Sequence, residues 1–130
     1  MLARFQSFMQ RFIEERPDKP ELQWKYESNK LTNKNSIDLI ISDIQQWTLP
    51  NTKGRISDMS DPDMVLEVAS GQSEVQLVAK DDARENEQIW IRNADYDNGY
   101  FSIIHESTGF FLTFKDNMAR IQSKEFYFSV

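Results

Sequence analysis

Cysteine is absent from the 130-residue sequence, which also contains a single histidine. Without thiols the chain forms no disulfides and no thiolate metal sites, which fits a reducing compartment. No run of eighteen apolar residues is present that could span a membrane. The N-terminus also lacks the continuous apolar core of a secretory signal, because Gln6, Gln10 and Arg11 interrupt it. We therefore expect a cytoplasmic protein without a transmembrane segment.

Positive charge is also scarce. The chain has 15 Lys and Arg residues against 21 Asp and Glu residues, which gives a formal net charge of −6. Because binding to a phosphate backbone requires a basic surface, this balance argues against a nucleic-acid partner. The hydrophobic content of 39% and the aromatic content of 12% are sufficient for one folded domain with an aromatic core.

The first sixteen residues have the apolar period of a helix. Apolar side chains recur at steps of three and four residues: Leu2, Phe5, Phe8, Met9, Phe12 and Ile13. This spacing predicts an amphipathic helix over residues 2–15, within a segment 1–16, that ends before Pro17. Residues 17–21 are then a linker. A helix this short needs its apolar stripe buried, so we expect it to pack on the domain or to form a homo-oligomer; a membrane surface or a partner groove is the alternative.

From residue 22 onwards the apolar period changes to two, which is typical of half-buried strands. Polar loops are predicted at residues 58–63 and 81–87, and a hairpin turn at 70–72. Strands are predicted at residues 22–27, 31–32, 37–41, 44–49, 55–57, 65–68, 75–78, 88–92, 100–105, 110–114, 118–122 and 126–130. Short strands without intervening helices predict an all-β barrel or sandwich.

One unit recurs three times, at about residues 22–47, 48–90 and 91–130. Two triplets, Gln45-Gln46-Trp47 and Gln88-Ile89-Trp90, lie about forty residues apart. The third triplet would fall at residues 126–128, which are apolar but contain no glutamine. A buried indole removes roughly 150–250 Å² from water, so each triplet can anchor one sector of a shared core. The predicted core residues are Trp24, Leu31, Trp47, Leu66, Trp90, Leu112 and Phe128.

The unit has the following order of parts: short strand, Leu-x-Val, turn, Val-x-Leu, polar loop and Gln-x-Trp. This order resembles the ricin B-type lectin repeat of the β-trefoil superfamily. The stretch from Tyr100 to Thr113 is likewise similar to the strand pair that opens a trefoil repeat, including those of the fascin and fibroblast-growth-factor branches. The resemblance covers residues 22–130. It implies a β-trefoil of three pseudo-repeats and a non-catalytic carbohydrate-binding module without a cofactor or a metal.

In that family each repeat supplies an acid, an aromatic side chain that stacks on the sugar, and an Asn before the triplet. The resemblance places Glu67, Val78 and Glu87 at these positions in the middle repeat, with Asn86 displaced by one. The other two repeats have Thr32, Ile40 and Ile44, and Thr113 and Gln122. The usual sugar sites are therefore expected to be degraded. The candidate ligand-binding residues are Glu67, Gln76, Asn86, Glu87, Tyr100 and His105.

Two other functions stay open at this point. The first is a protein-interaction or assembly module that uses the trefoil surface and the N-terminal helix. The third repeat is dense in aromatic residues, which we expect to pack mainly in the core, with some aromatic surface left for a ligand or partner: Tyr96, Tyr100, Phe110, Phe111 and Phe114. The second is a hydrolase built around His105, although no nucleophile context surrounds Ser102 or Ser107. The acidic residues of loop 58–63 lack the spacing of a calcium loop, so we expect them to serve turns and solubility.

Overall fold

The computed structural model describes residues 19–94 and 99–123. The predicted helix over residues 2–15, the first two residues of the linker, Tyr96 and the predicted last strand with Phe128 lie outside these residues. Within the described residues the chain is mostly β-strand, as the alternating pattern predicts. In this part of the chain no helix has both the length and the apolar character needed to cross a membrane.

The strands are short and follow one another closely. They are β1 (Trp24–Glu27), β2 (Lys30–Asn33), β3 (Trp47–Thr48), β4 (Lys53–Gly54), β5 (Ser57–Asp58), β6 (Asp61–Glu67), β7 (Gln76–Ala79), β8 (Trp90–Asn93), β9 (Ser102–His105), β10 (Phe111–Lys115) and β11 (Met118–Gln122). Helical structure among the described residues consists of the 3₁₀ turns Pro20–Leu22 and Asp82–Arg84 and of one α-helical turn, α1 (Glu85–Gln88). The first of these turns occupies the end of the predicted linker.

The strands form three antiparallel sheets. One contains β1 and β2, one has the order β3-β5-β6-β7, and one has the order β11-β10-β9-β8-β4. The hairpin β1–β2 turns through Ser28 and Asn29, and the hairpin β10–β11 turns through Asp116 and Asn117, all four with φ between 53° and 61°. Two consecutive left-handed residues match the twist of the flanking strands, which explains why two-residue turns close both hairpins.

Several sequence predictions about local structure are wrong, among them the following three. The predicted strand at 37–41 is a loop with only isolated bridges, and it lies between turns at Ser36 and Ser42, both of which have positive φ. The predicted loop 58–63 is a tight turn followed by β6, since Asp58 accepts a hydrogen bond from the backbone N–H of Ser60 and pairs with Asp61. The predicted loop 81–87 contains α1, an element that the purely β pattern does not include.

Three indoles form the centre of the core. Trp24 and Trp47 have no exposed surface and Trp90 is 1% exposed. Each indole N–H donates to the carbonyl oxygen of a leucine: Trp24 to Leu112 at 3.2 Å, Trp47 to Leu39 at 3.1 Å and Trp90 to Leu66 at 3.1 Å. Because a buried indole needs an acceptor, these bonds fix the orientation of each ring as well as its depth.

The third indole comes from the first strand. Trp24 exchanges two backbone hydrogen bonds with Phe101, at 2.7 and 2.9 Å, so β1 lies beside the segment that enters β9. Unlike Trp47 and Trp90, Trp24 is not part of a Gln-x-Trp triplet. The leucines that were predicted in the core, Leu31, Leu66 and Leu112, are all fully buried.

Candidate functional site

Three connecting segments meet at one end of β9. They are residues 68–71 after β6, the turn α1, and residues 106–109 after β9. Between them lies a cavity of about 320 Å³ that we call the His105 pocket. Its lining residues are Val68, Ala69, Ser70, Gly71, Asn86, Glu87, His105, Ser107 and Thr108.

The backbone carbonyl of Glu87 holds the three segments together. It accepts a hydrogen bond from the backbone N–H of Val68 at 3.1 Å and lies 3.0 Å from His105 Nε2. The turn after β9 closes through the backbone N–H of Gly109, which donates to the carbonyl oxygen of His105 at 2.8 Å. Two backbone hydrogen bonds and one bond from the His105 ring therefore connect the segments that form the pocket.

The hydrogen bonds of His105 determine its tautomer. A carbonyl oxygen only accepts, so Nε2 carries the proton that goes to Glu87, and Nδ1 accepts from the hydroxyl of Thr108 at 3.0 Å. The Thr108 oxygen in turn accepts from the backbone N–H of Phe110 at 3.2 Å. The ring packs against Trp90, with 4.9 Å between the ring centroids.

His105 is 1% exposed, and burial lowers its pKa below the ordinary value of 6.5 despite the opposing effect of its bond to Glu87. The neutral ring is thus the favoured form at neutral pH. Since both nitrogens are engaged, neither is free in this arrangement to act as a general base. His105 forms a wall of the pocket and positions α1.

The open side of the pocket is polar. Asn86 and Ser70 are exposed and Glu87 is half-buried, and the hydroxyls of Ser107 and Thr108 follow on the opposite turn. Hydroxyl and amide groups donate and accept, and a carboxylate accepts only. None of the described lining residues is a phenylalanine, tyrosine or tryptophan. The pocket can therefore hold a neutral ligand rich in hydroxyls by hydrogen bonds rather than by stacking.

The structure brings together three of the six predicted ligand-binding residues, Asn86, Glu87 and His105. Glu67 is not among them, because it is buried next to the pocket, where Gln88 donates to its Oε1 at 3.0 Å and Arg84 Nε lies 3.4 Å away. These contacts satisfy the carboxylate inside the protein. The expectation that Glu67 receives sugar hydroxyls does not fit this burial.

The remaining two predicted residues lie elsewhere. Gln76 is exposed at a separate groove of about 430 Å³, next to Ile40 and Met118. Tyr100 has two ammonium groups near its ring, with Lys25 Nζ at 4.7 Å and Lys34 Nζ at 5.3 Å from the ring centroid. Neither residue reaches the His105 pocket, whose lining does not include them.

The acidic residues around β5 and β6 have structural roles. Asp58 Oδ1 accepts from the backbone N–H of Ser60 at 2.9 Å, and Asp61 Oδ1 accepts from that of Asp63 at 3.2 Å. Both are bonds of the kind that acidic side chains make in tight turns. Across residues 19–94 and 99–123, no group of three or more His, Asp or Glu side chains is arranged to hold a metal ion.

Sequence reasoning missed the hydroxyl side of the pocket, which consists of Ser70, Ser107 and Thr108. The available signal was the position of the turn Glu106-Ser107-Thr108-Gly109 directly after the single histidine. A hydroxyl three residues after a histidine can reach back to its ring across a tight turn, as Thr108 does.

Comparisons of the chain with protein-family models, with curated proteins and with solved structures give no significant match. What the His105 pocket binds is therefore inferred from its residues and from the fold that holds them.

Proposed function

We propose that residues 22–130 form a β-trefoil recognition module, similar to ricin B-type lectins, that binds carbohydrate without catalysis at the His105 pocket. The observation that carries this proposal is the pocket itself, in which an amide, a carboxylate and three hydroxyls surround about 320 Å³. The trefoil is supported by the three buried indoles, each of which donates to a leucine carbonyl.

The chemistry of the pocket favours a sugar among small ligands. Neighbouring sugar hydroxyls donate and accept at once, and they find matching groups in Asn86, Glu87 and Ser107. The volume lies at the lower end of the range of roughly 300–1,000 Å³ for small-molecule sites, which suits one or two sugar units. Without an aromatic surface for stacking, we expect a dissociation constant on the order of 1 mM for a single sugar.

A titration of the ¹⁵N-labelled chain with a panel of neutral monosaccharides and short glycans tests the proposal. A binding sugar shifts the backbone amides of residues 68–71, 85–88 and 106–109 in a saturable manner. Glu87→Gln weakens this binding, whereas Glu85→Gln, an exposed change of the same charge on the same helical turn, leaves it unchanged. No saturable shift with any sugar, or equal loss in both variants, contradicts carbohydrate binding at this pocket.

A second candidate is a protein-interaction module. It is favoured by the exposure of large apolar side chains, Ile37, Ile40 and Met118, of which the last two line the groove beside Gln76. Ile40→Glu should abolish such an association without unfolding the chain, because the side chain is exposed. Self-association is contradicted if sedimentation of the full chain gives only the monomer mass over a wide concentration range. Use of this groove is contradicted if Ile40→Glu binds a partner with unchanged affinity.

A further inference from the structure

A second cavity lies on the face of the hairpin β10–β11 opposite the core. The alternate residues Leu112, Phe114, Ala119 and Ile121 point into the core, so the intervening side chains occupy the other face. There they line a cavity of about 220 Å³ that we call the hairpin pocket. Its lining residues are Thr113, Lys115, Asp116, Met118, Arg120 and Gln122.

The hairpin pocket contains a buried hydroxyl without a partner. Thr113 is 6% exposed, and its Oγ1 makes no hydrogen bond. Buried polar side chains in folded proteins are nearly always hydrogen-bonded, so an orphan hydroxyl that lines a cavity requires an explanation. Valine has the same shape and β-branching and would fill this strand position without an unsatisfied group. A ligand that accepts from the hydroxyl provides the missing partner.

The charges around Thr113 indicate the sign of that ligand. Arg120 lies directly opposite Thr113 in the strand register, and Lys115 follows two residues later on the same face. Arg120 Nε donates to Met118 Sδ at 2.8 Å, a weak acceptor, which leaves its Nη groups available. Within the described part of the chain neither Arg120 nor Lys115 forms an ion pair.

Two acidic residues limit this positive charge. Asp116 is at the rim of the pocket, and Glu74 forms an isolated bridge with Arg120 on its other side. Neither carboxylate lies within ion-pair distance of the two cations. The pocket therefore combines two uncompensated cations and an orphan hydroxyl donor with one nearby acid.

We propose that the hairpin pocket binds an oxyanion group, such as a sulfate, a phosphate or a carboxylate. The Thr113 hydroxyl donates one hydrogen bond to it, the Arg120 guanidinium donates a forked pair, and the Lys115 ammonium neutralises the remaining charge. This site is separate from the His105 pocket and does not depend on carbohydrate binding there, since the two cavities share no lining residue.

A titration of the full ¹⁵N-labelled chain with inorganic sulfate, at an ionic strength held constant with sodium chloride, tests the proposal. Saturable shifts are expected at residues 113–122. Thr113→Val should weaken binding about tenfold, the effect of removing one hydrogen bond to a charged group. Arg120→Gln should weaken it at least as much. Lys80→Gln, which removes an exposed charge away from the pocket, should have no effect. Parallel titrations with phosphate and acetate identify which oxyanion is preferred.

Thr113→Val also has an expected effect without ligand. Because it removes an unsatisfied hydroxyl and keeps the shape, its melting temperature in the absence of sulfate should equal or exceed that of the parent chain. Thr113→Ser keeps the hydroxyl and should retain sulfate binding, which separates loss of the donor from a packing defect. The proposal is overturned if no anion gives saturable shifts, if chloride alone gives the same shifts, or if Thr113→Val binds sulfate as tightly as the parent.

Discussion

Gln88 donates a hydrogen bond from its side-chain amide to the buried carboxylate of Glu67, over 3.0 Å. The other Gln-x-Trp triplet makes a similar bond, since Gln45 donates to Asp38 over 2.8 Å. In both triplets the glutamine stands two residues before a buried tryptophan, and the acid that it contacts stands next to the leucine whose carbonyl accepts the indole N–H. Each triplet is thus bonded at two points to another segment, which is β6 for Gln88 and Trp90 and the loop 37–41 for Gln45 and Trp47.

Replacing Gln88 by Met should destabilise the protein by about 2–4 kcal/mol. The change leaves the carboxylate of Glu67 in a buried place with only Arg84 beside it, and it removes the acceptor of the backbone N–H of Asp81. Urea unfolding of both proteins measures the loss. Gln46→Met, at an exposed position of the other triplet, should cost less than about 0.5 kcal/mol. Similar costs for the two variants would contradict the role assigned to Gln88.

The two triplet tryptophans should be equally important for stability. Trp47→Ala and Trp90→Ala should each cost about 3–5 kcal/mol, because each removes a fully buried ring and leaves a leucine carbonyl without its donor. Denaturant unfolding at constant pH gives both values, and Met59→Ala at an exposed site is the control. A cost below about 1.5 kcal/mol at either tryptophan is incompatible with its place in the core.

The regular parts of this fold are those whose signals are local. The hairpin β6–β7 follows from alternating apolar residues around Ser70-Gly71-Gln72, and the turn Asp116-Asn117 follows from residues that tolerate positive φ. The burial of the tryptophans follows from their size and apolarity. For the hairpin and the turn, neighbouring residues in the sequence contain the physical reason.

The parts that the sequence did not reveal depend on long-range contacts. Ile37 and Ile40 look like strand residues, yet they are exposed because the backbone around them turns at Ser36 and Ser42. Glu67 looks like an exposed acid, and only the distant residues Gln88 and Arg84 make its burial tolerable. The His105 pocket likewise joins three segments whose proximity no local pattern encodes.

The turn Ser28-Asn29 can be improved by substitution. Ser28 has a φ of 53°, which costs energy for a residue with a Cβ atom, and its side chain is exposed. Ser28→Gly removes this strain and should stabilise the protein by about 0.5 kcal/mol. Thermal unfolding measures the gain. Asn29→Ala should have the opposite effect, since the Asn29 amide donates to the hydroxyl of Tyr26 at 3.1 Å. A loss of stability in Ser28→Gly would contradict the assigned turn.

Asp38 should titrate below its ordinary pKa of 3.8. The hydrogen bond from the Thr32 hydroxyl, at 2.7 Å, is the main cause, and the bond from Gln45 adds to it against the opposing effect of burial. A carboxyl with a lowered pKa stabilises the folded state above pH 3.8, and this contribution is lost as the pH falls through the folded value. Carbon-detected NMR titration measures the pKa. Thr32→Val should raise it more than Gln45→Met does, and the reverse order would contradict this assignment.

His105 should make the protein less stable in weak acid. The pKa of His105 in the folded chain lies below 6.5. At pH values between this folded pKa and 6.5, the unfolded chain therefore binds more protons than the folded chain. The free energy of unfolding consequently rises with pH over this interval. The contribution of the neutral ring is complete above pH 6.5 and declines as the pH falls below it. Urea unfolding at several pH values from 5 to 7.5 should show this slope. In His105→Gln the slope over the same interval should flatten, whatever the mean stability, because the titrating group is gone. If the free energy of unfolding rises with pH as steeply in His105→Gln as in the parent chain, another residue causes the pH dependence. The conclusion that His105 is a neutral imidazole in the wall of the pocket would then lose its support.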